Sequence, residues 1–227
     1  NLTIGAAGNT VGGDMIVTNS GVYTQNGDIV VTGAFDQDGA GTNALGGDLT
    51  AAGIEFDGAS TLTAATVNMD SGGNALTFNS TLDGDTNDLD LTAGAGNISF
   101  NDAVSNMGTT TVASAANVTA ASTFGGDAYV QSIGTGTTDF QDAAALSGNL
   151  DFNGTNLTIS AAGATVGGNM TVTNTGVYTQ SGAVVVTGAF NQDEAVTGTS
   201  DLSADLTADS IQFAGAVGLS GDVIMTS

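Results

Sequence analysis

The residues of this chain best suited to chemistry are carboxylates, and they are densest in one short segment. Residues 83–90 read DGDTNDLD, in which oxygen-bearing side chains recur beside a glycine as they do at the start of a calcium loop. Its four carboxylates belong to a chain without Lys or Arg, so they should attract a divalent cation. The segment therefore predicts a calcium site, with candidate ligands Asp83, Asp85, Asn87, Asp88 and Asp90.

The same segment has a second interpretation as a solvated, Asp-rich turn. It lacks the later bidentate Glu of a calcium loop, and its glycine is not at the position where such a loop turns. Calcium is the only cofactor that the sequence predicts.

A second acidic segment, residues 35–38 (FDQD), returns at residues 190–193 as FNQD, followed by Glu194. Asp36 is replaced by Asn191 in the second segment, which argues against a charged ligand there. A row of Asp and Asn that hydrogen-bonds backbone groups at a turn is the favoured interpretation. Tyr23 and Tyr178 also occupy matched positions, either at an interaction surface or, as we favour, as repeated packing or turn residues.

Composition excludes several classes of function. The chain has no Lys, Arg, His or Cys, and its 23 acidic residues give a net charge of −23. Nucleic-acid and anionic-membrane binding both rest on basic residues, so neither is expected. A paired-carboxylate hydrolase, with candidates such as Asp36 and Asp57, is formally open. No base, thiol or phosphate clamp accompanies them, and we expect no enzyme.

The elements that must position these residues repeat along the chain. Residues 156–193 match residues 1–38 at 29 of 38 positions, an offset of 155 residues. Self-similarity at a fixed period is typical of repeat proteins. We therefore expect one rod segment over residues 1–227, with residues 1–155 as one long unit and 156–227 as the start of a second copy.

A shorter period lies within the long one. Phenylalanines recur every 21 to 24 residues along one ladder, comprising Phe35, Phe56, Phe78, Phe100 and Phe124, with Phe190 and Phe213 in the second copy. Short alternating runs bounded by Gly, Asn or Asp indicate strands. This pattern predicts an all-β fold, a parallel β-helix with coils of about 22 residues, seven to the long unit. Phe140 and Phe152 should lie off the ladder, and an array of β-sandwiches is the alternative.

The Gly/Thr/Asn-rich repeats resemble those of giant bacterial surface proteins. Segments such as residues 1–4 (NLTI) and 47–54 (GDLTAAGI) are similar in style to repeats of filamentous-haemagglutinin-like adhesins and autotransporter passenger domains. The resemblance implies a right-handed parallel β-helix, secretion, and a role outside the cell as adhesin, stalk or matrix fibre. The Asn-Pro motifs of haemagglutinin secretion domains are absent, since the chain has no Pro.

These observations together predict a structural protein, extracellular or on the cell surface, whose β-helical rod forms part of a fibre, sheath or matrix filament. The alternative is an adhesin rod that binds a host-cell or neighbouring-cell ligand. The expected partner is the protein itself, stacked head to tail, or the continuation of a longer chain. We expect no nucleic acid and no membrane insertion, since no apolar run approaches the length of a membrane span.

Overall fold

The computed structural model describes residues 1–194 and 198–227, and these residues form short strands with no helix. The first sixteen strands are β1 (Leu2–Ile4), β2 (Asn9–Val11), β3 (Met15–Ile16), β4 (Val22–Gln25), β5 (Ile29–Val31), β6 (Phe35–Gln37), β7 (Thr42–Leu45), β8 (Leu49–Thr50), β9 (Ile54–Phe56), β10 (Ser60–Leu62), β11 (Thr66–Asp70), β12 (Leu76–Phe78), β13 (Leu82–Asp83), β14 (Asp88–Thr92), β15 (Ile98–Phe100) and β16 (Val104–Ser114). The remaining strands are β17 (Val118–Ala120), β18 (Phe124–Gln131), β19 (Thr137–Phe140), β20 (Ala144–Leu146), β21 (Leu150–Gly154), β22 (Asn156–Ile159), β23 (Ala164–Val166), β24 (Met170–Asn174), β25 (Val177–Gln180), β26 (Val184–Val186), β27 (Ala189–Glu194), β28 (Thr199–Leu202), β29 (Leu206–Thr207), β30 (Ser210–Phe213), β31 (Ala216–Leu219) and β32 (Met225–Thr226).

The strands stack in three columns, which we call the first, second and third faces of a β-solenoid. A coil takes one strand from each face in turn, as β1, β2 and β3 do. Every pairing is parallel and joins a strand to its equivalent in the next coil, so β1 pairs with β4 on the first face. The third face is an 11-stranded sheet, which gives about eleven coils. The sequence-based prediction of a parallel β-helix is confirmed.

The coils are shorter and more variable than the phenylalanine period suggests. Register advances by 22 residues from Leu76 to Ile98 but by only 17 from Asn43 to Ser60. Strand residues that point inward are buried and mostly apolar, while their neighbours point outward, which follows from the alternation of side chains along a strand. The differences in coil length therefore fall in the turns.

The first and second faces merge over two coils. Strands β16 and β18 each run along both faces without a break, so the 11-residue β16 pairs with β13 and β14 on one side and with β18 on the other. A register shift lies between Val104 and Met107, and Asn106 has a positive φ of 50°. This irregularity overlaps the part of the chain where the phenylalanine spacing changes.

The aromatic ladder runs through the interior. Phe56, Phe78 and Phe100 are direct register partners on the third face, with ring centroids 5.3 and 5.7 Å apart. Phe124 lies instead on the first face, although its ring is 5.7 Å from that of Phe100. Phe140 returns to the third face, so the expectation that it lies off the ladder is wrong.

The other members depart from the single ladder that the spacing predicts, since Phe35 pairs with Ile54 rather than Phe56, and Phe190 and Phe213 lie off the third face. Phe152 lies on the second face, off the third-face ladder as predicted. Phe190 and Phe213 stack 5.1 Å apart, also on the second face.

The two copies of the long repeat lie on different faces. Leu2 pairs with Tyr23 on the first face, whereas its counterpart Leu157 pairs with Tyr178 on the third face. From Leu2 to Leu157 the chain makes seven coils and then two further strands, so the long unit is not the whole number of coils that the sequence suggested. Each copy is thus turned by one face about the solenoid axis.

Turn glycines allow neighbouring coils to approach closely. A Cβ atom on Gly58 would overlap the carbonyl oxygen of Gly41 in the preceding coil. Close backbone approach of this kind explains part of the high glycine content. None of the described residues belongs to a helix with the length and apolarity that a membrane span requires.

Candidate functional site

The five predicted calcium ligands are divided between two strands and the turn that joins them. Asp83 ends β13 on the first face, and Asp88 and Asp90 belong to β14 on the second face. Asp85 lies in the turn with a positive φ of 48°, and the amide of Asn87 donates to the carbonyl of Gly84 at 2.8 Å. The candidate ligands therefore follow a corner of the solenoid.

Several of these side chains already hydrogen-bond to the protein. Asp83 Oδ1 accepts from the amide of Asp85 at 3.0 Å and from Asn106 Nδ2 at 3.2 Å. Asp88 Oδ1 accepts from the amide of Thr109 at 2.7 Å, and Asn87 Nδ2 donates to the carbonyl of Leu62 at 3.2 Å. These bonds brace the turn and hold the corner against the preceding and the next coil, as the turn interpretation expects.

Within residues 1–194 and 198–227, no group of three or more Asp, Glu, His or Cys side chains is arranged to hold a metal ion. A calcium ion at this corner would therefore depend on backbone carbonyls, Asn87 or water for much of its coordination. Calcium binding here stays a prediction from the sequence.

The second acidic segment forms an outward-facing patch on the third face. Asp36 lies beside Glu55 in register, and Asn79 Nδ2 donates to Glu55 Oε1 and Asp57 Oδ1 at 2.7 Å each. Partial burial and then the charges of Glu55, Asp38 and Asp57 raise the pKa of Asp36. Its counterpart Asn191 lies on the second face between Thr171 and Gln212, so the repeat does not reproduce this patch.

A ladder of Asp and Asn side chains ties many of the coils to the next one. In each step the Oδ1 atom accepts from a backbone amide 19 to 21 residues further on. Asp14 accepts from Ala34 at 2.9 Å, and Asn169, its counterpart in the second copy, accepts from Ala189 at 2.9 Å. Other members of this ladder are Asn1, Asp28, Asp48, Asp88, Asn97, Asn117, Asn149, Asn156 and Asp205. The sequence interpretation expected such a row, but at Asp36 and Asn191, which do not take part in these bonds.

Buried glutamines are the residues that sequence reasoning missed. Each tyrosine is fully buried and donates to the glutamine two residues later: Tyr129 to Gln131 at 2.6 Å, Tyr178 to Gln180 at 3.1 Å, and Tyr23 to Gln25 at 3.5 Å. The repeated Tyr-Thr-Gln motif, with two inward positions, was the available signal. Tyr23 and Tyr178 thus serve packing, as we favoured.

These glutamines also bond the backbone of the next coil. Gln25 Nε2 donates to the carbonyls of Gly47 and Asp48, both at 3.0 Å, and Gln180 Nε2 donates to the carbonyls of Ala204 and Asp205. Buried amide groups need such partners, since an unpaired polar group in the interior is costly. The polar interior residues therefore hold the coils in register.

A surface concavity lies where the first and second faces merge. It encloses about 660 Å³ and is lined by the irregular part of β16, by β18 and by neighbouring turns, including Asp88, Asn106, Met107, Gly126, Asp127 and Ser147. Asp127 Oδ1 accepts from Ser147 Oγ at 2.7 Å. The lining offers carboxylates, an amide and hydroxyl groups, with no positive charge.

No protein-family model, curated protein or solved structure matches the chain. The structure itself shows that the chain is a β-solenoid repeat protein.

Proposed function

We propose that this chain is a structural β-solenoid rod of an extracellular fibre, sheath or matrix filament, akin in role to the stalks of bacterial surface proteins. The observation that carries the proposal is the continuity of the stack: each of the three faces is a column of parallel strands paired from the first coil to the last. At about 4.8 Å per coil, eleven coils build a rod about 50 Å long.

The rod gains length by stacking on another copy or by continuing along the same polypeptide. At both ends of the described chain, inward-facing side chains are covered on one side only. Leu2 is 39% exposed in the first coil, while Leu219 and Met225 are 59% and 41% exposed in the last. Their equivalents inside the rod, such as Leu202 and Leu206, are fully buried. A further coil at either end would cover these apolar side chains and pair the open strands.

The surface chemistry suits an extracellular material. A net charge of −23 keeps single rods apart, and divalent cations such as calcium would bridge them when present. A chain without Lys or Arg offers no cleavage site to trypsin-like proteases.

Negative-stain electron microscopy of the purified 227-residue chain, with and without a chelator, tests this proposal. We expect rods whose lengths are multiples of one unit and which bundle when calcium is added. Leu219→Asp should abolish end-to-end growth. Ile133→Asp is the matched control, since Ile133 is equally exposed at 58% but lies in a turn along the side of the rod. Particles that never exceed one unit at any concentration, or filaments that L219D leaves intact, would overturn end-to-end stacking.

An adhesin is the second candidate, and the concavity at the merged faces is the observation in its favour. A site that interrupts an otherwise regular rod is the expected form of a ligand-binding surface on a solenoid. Ser147→Trp would fill the concavity, and Ser181→Trp places the same bulk at an exposed position elsewhere. Attachment of the labelled chain to cells, lost with S147W and kept with S181W, would favour this function over a purely structural one.

A further inference from the structure

The first face is nearly free of charge, although the protein carries 23 acidic residues. Among the outward-facing residues of its strands in the described chain, the carboxylates are Asp83 and, at the corner with the second face, Asp127 of β18. Strands of the second face carry Asp70, Asp88, Asp90, Asp151 and Asp193, and strands of the third face carry Asp36, Glu55, Asp139 and Asp201. The acidic residues are therefore distributed unevenly around the rod.

One row on this face is uncharged over six successive coils. We call it the uncharged row; it consists of register partners Gly125, Ala145, Thr165, Val185, Thr207 and Thr226. Val185 is 45% exposed, and Ala145, Thr165, Thr207 and Thr226 are exposed as well. A shallow concavity of about 250 Å³ beside the row is lined only by alanine, glycine, threonine and valine side chains.

We propose that the first face is an interaction surface that pairs with the first face of a second copy of this chain. Two rods of charge −23 repel each other wherever carboxylates face carboxylates. The first face is the side on which two copies approach with the fewest like charges in contact. Small and β-branched side chains on the surface of a sheet also allow close packing of one sheet against another.

The area of the face is adequate for such a pair. Eleven coils make the face about 50 Å long, and the outward part of the strands is about 12 Å wide, so each copy would contribute about 600 Å². The total of about 1,200 Å² is at the lower end of the range for specific interfaces. Pairing should therefore be reversible and should depend on concentration.

The position of Asp83 selects the orientation of the pair. In a parallel, in-register pair, Asp83 of one copy would face Asp83 of the other, which is unfavourable. In an antiparallel pair related by a two-fold axis, the same patch serves both copies and the two Asp83 side chains lie apart. Carboxylates at the edges of the face, such as Asp102 and Asp142 in the turns before β16 and β20, still repel across the rim. Added salt should screen this repulsion and strengthen pairing.

The repeat supplies a matched control because its two copies lie on different faces. Thr165 and Val185 are on the first face, whereas their counterparts Thr10 and Val30 are in register on the second face. Conversely, Val22 and Thr24 are on the first face and their counterparts Val177 and Thr179 are on the third. The same substitutions in nearly the same local sequence therefore test the face rather than the residue type.

Sedimentation of the chain at increasing concentration, in low and high NaCl, measures the pairing. Every sample carries Leu219→Asp, so that end-to-end stacking does not contribute to the measured association. A failure of side-by-side pairing can then be distinguished from a failure of the proposed end-to-end growth. We expect a monomer–dimer equilibrium that T165D/V185D weakens by more than about a hundredfold, because like charges at an interface are strongly unfavourable. The control T10D/V30D should leave the dimerisation constant unchanged. V22D/T24D, on the first face, should weaken dimerisation, whereas its control V177D/T179D should not.

Circular dichroism and thermal unfolding of the variants check that each rod is folded. A chain that stays monomeric at all concentrations would overturn the proposal and leave the face to a different, uncharged partner. A dimer that persists in T165D/V185D, or one that T10D/V30D weakens equally, would also overturn it.

Discussion

Asp14 and Asn169 occupy the same position in the two copies of the repeat and make the same hydrogen bond, with Oδ1 2.9 Å from a backbone amide in the next coil. One side chain is charged and the other is neutral, so the turn requires the carbonyl-type oxygen and not the charge. The Asp and Asn ladder is therefore a structural device, and a substitution on it should act through hydrogen bonding.

Substitutions at Asn169 test this conclusion. Asn169→Ala removes the acceptor of the Ala189 amide and should lower the free energy of unfolding by about 1 kcal/mol. Asn169→Asp keeps the acceptor and should change the free energy of unfolding by less than about 0.5 kcal/mol. Urea unfolding followed by circular dichroism measures both. Equal losses for the two variants would show that charge or packing dominates at this turn.

The buried tyrosine–glutamine pairs predict graded losses. Tyr178→Phe leaves Gln180 Oε1 without its hydroxyl donor in the interior, and should cost about 1–3 kcal/mol. Tyr23→Phe removes a contact of 3.5 Å, at the limit of hydrogen bonding, and should cost less than half as much. The two tyrosines have matched positions in the repeat, so each is the control for the other in thermal unfolding. A larger loss for Y23F would contradict this ranking.

The aromatic ladder predicts a dependence on position along the rod. Phe78 stacks between Phe56 and Phe100 and is 1% exposed, so Phe78→Ala should cost about 3–5 kcal/mol. Phe213 is only partly buried in the last coils, and Phe213→Ala should cost clearly less. Because each coil contacts only its neighbours, hydrogen exchange should quicken mainly in the coils beside the substituted residue. Uniform quickening along the chain would indicate all-or-none unfolding instead.

The fold could be predicted from the sequence because the spacing of the phenylalanines and the alternation of apolar and polar residues both follow from the stacking of the coils. The 22-residue spacing of Phe56, Phe78 and Phe100 is the true register of those coils. The placement of the two repeat copies on different faces could not be predicted, since it depends on turns that shorten one coil to 17 residues between Asn43 and Ser60. The merging of the first and second faces in β16 could not be predicted either, because its residues look like any strand–turn–strand segment.

The candidate site was predicted less well than the fold, for two physical reasons. Alternation of carboxylates along residues 83–90 suggested one loop, but a strand, a corner and a second strand place Asp83 and Asp90 on different faces. Glutamine is usually a surface residue, so Gln25 and Gln180 gave no sign of burial until the inward positions of Tyr-Thr-Gln were known. The surface assigned to the interaction between copies depends on register alone, which the sequence does not reveal.

Acidification should stabilise the rod. The pKa of Asp36 is raised by partial burial and by Glu55, Asp38 and Asp57, so the folded state binds this proton more tightly than the unfolded state. The stabilisation that protonated Asp36 gives the folded state is fully present below the pKa that Asp36 has in the unfolded chain. It is lost as pH rises through the pKa that Asp36 has in the folded rod. The thermal midpoint should therefore rise as pH falls from 7 towards 4, where carboxylates begin to be protonated. Asp36→Asn should be slightly more stable than the parent at pH 7 and should show a smaller gain on acidification, which differential scanning calorimetry at a series of pH values would detect.

Alkaline pH should have the opposite effect through the three tyrosines. Burial raises the pKa of Tyr23, Tyr129 and Tyr178 well above the usual value of 10.0. A group whose pKa is raised by folding stabilises the protein below its unfolded pKa, and that stabilisation is lost as pH rises through the folded pKa. Above pH 10 the unfolded chain releases these protons and the folded rod keeps them, so stability should fall steeply. Tyrosinate absorbance should then appear together with the loss of β-sheet circular dichroism. Ionisation of all three tyrosines near pH 10 with the sheet signal intact would show that their hydroxyls reach water, and would contradict the buried pairs with Gln25, Gln131 and Gln180.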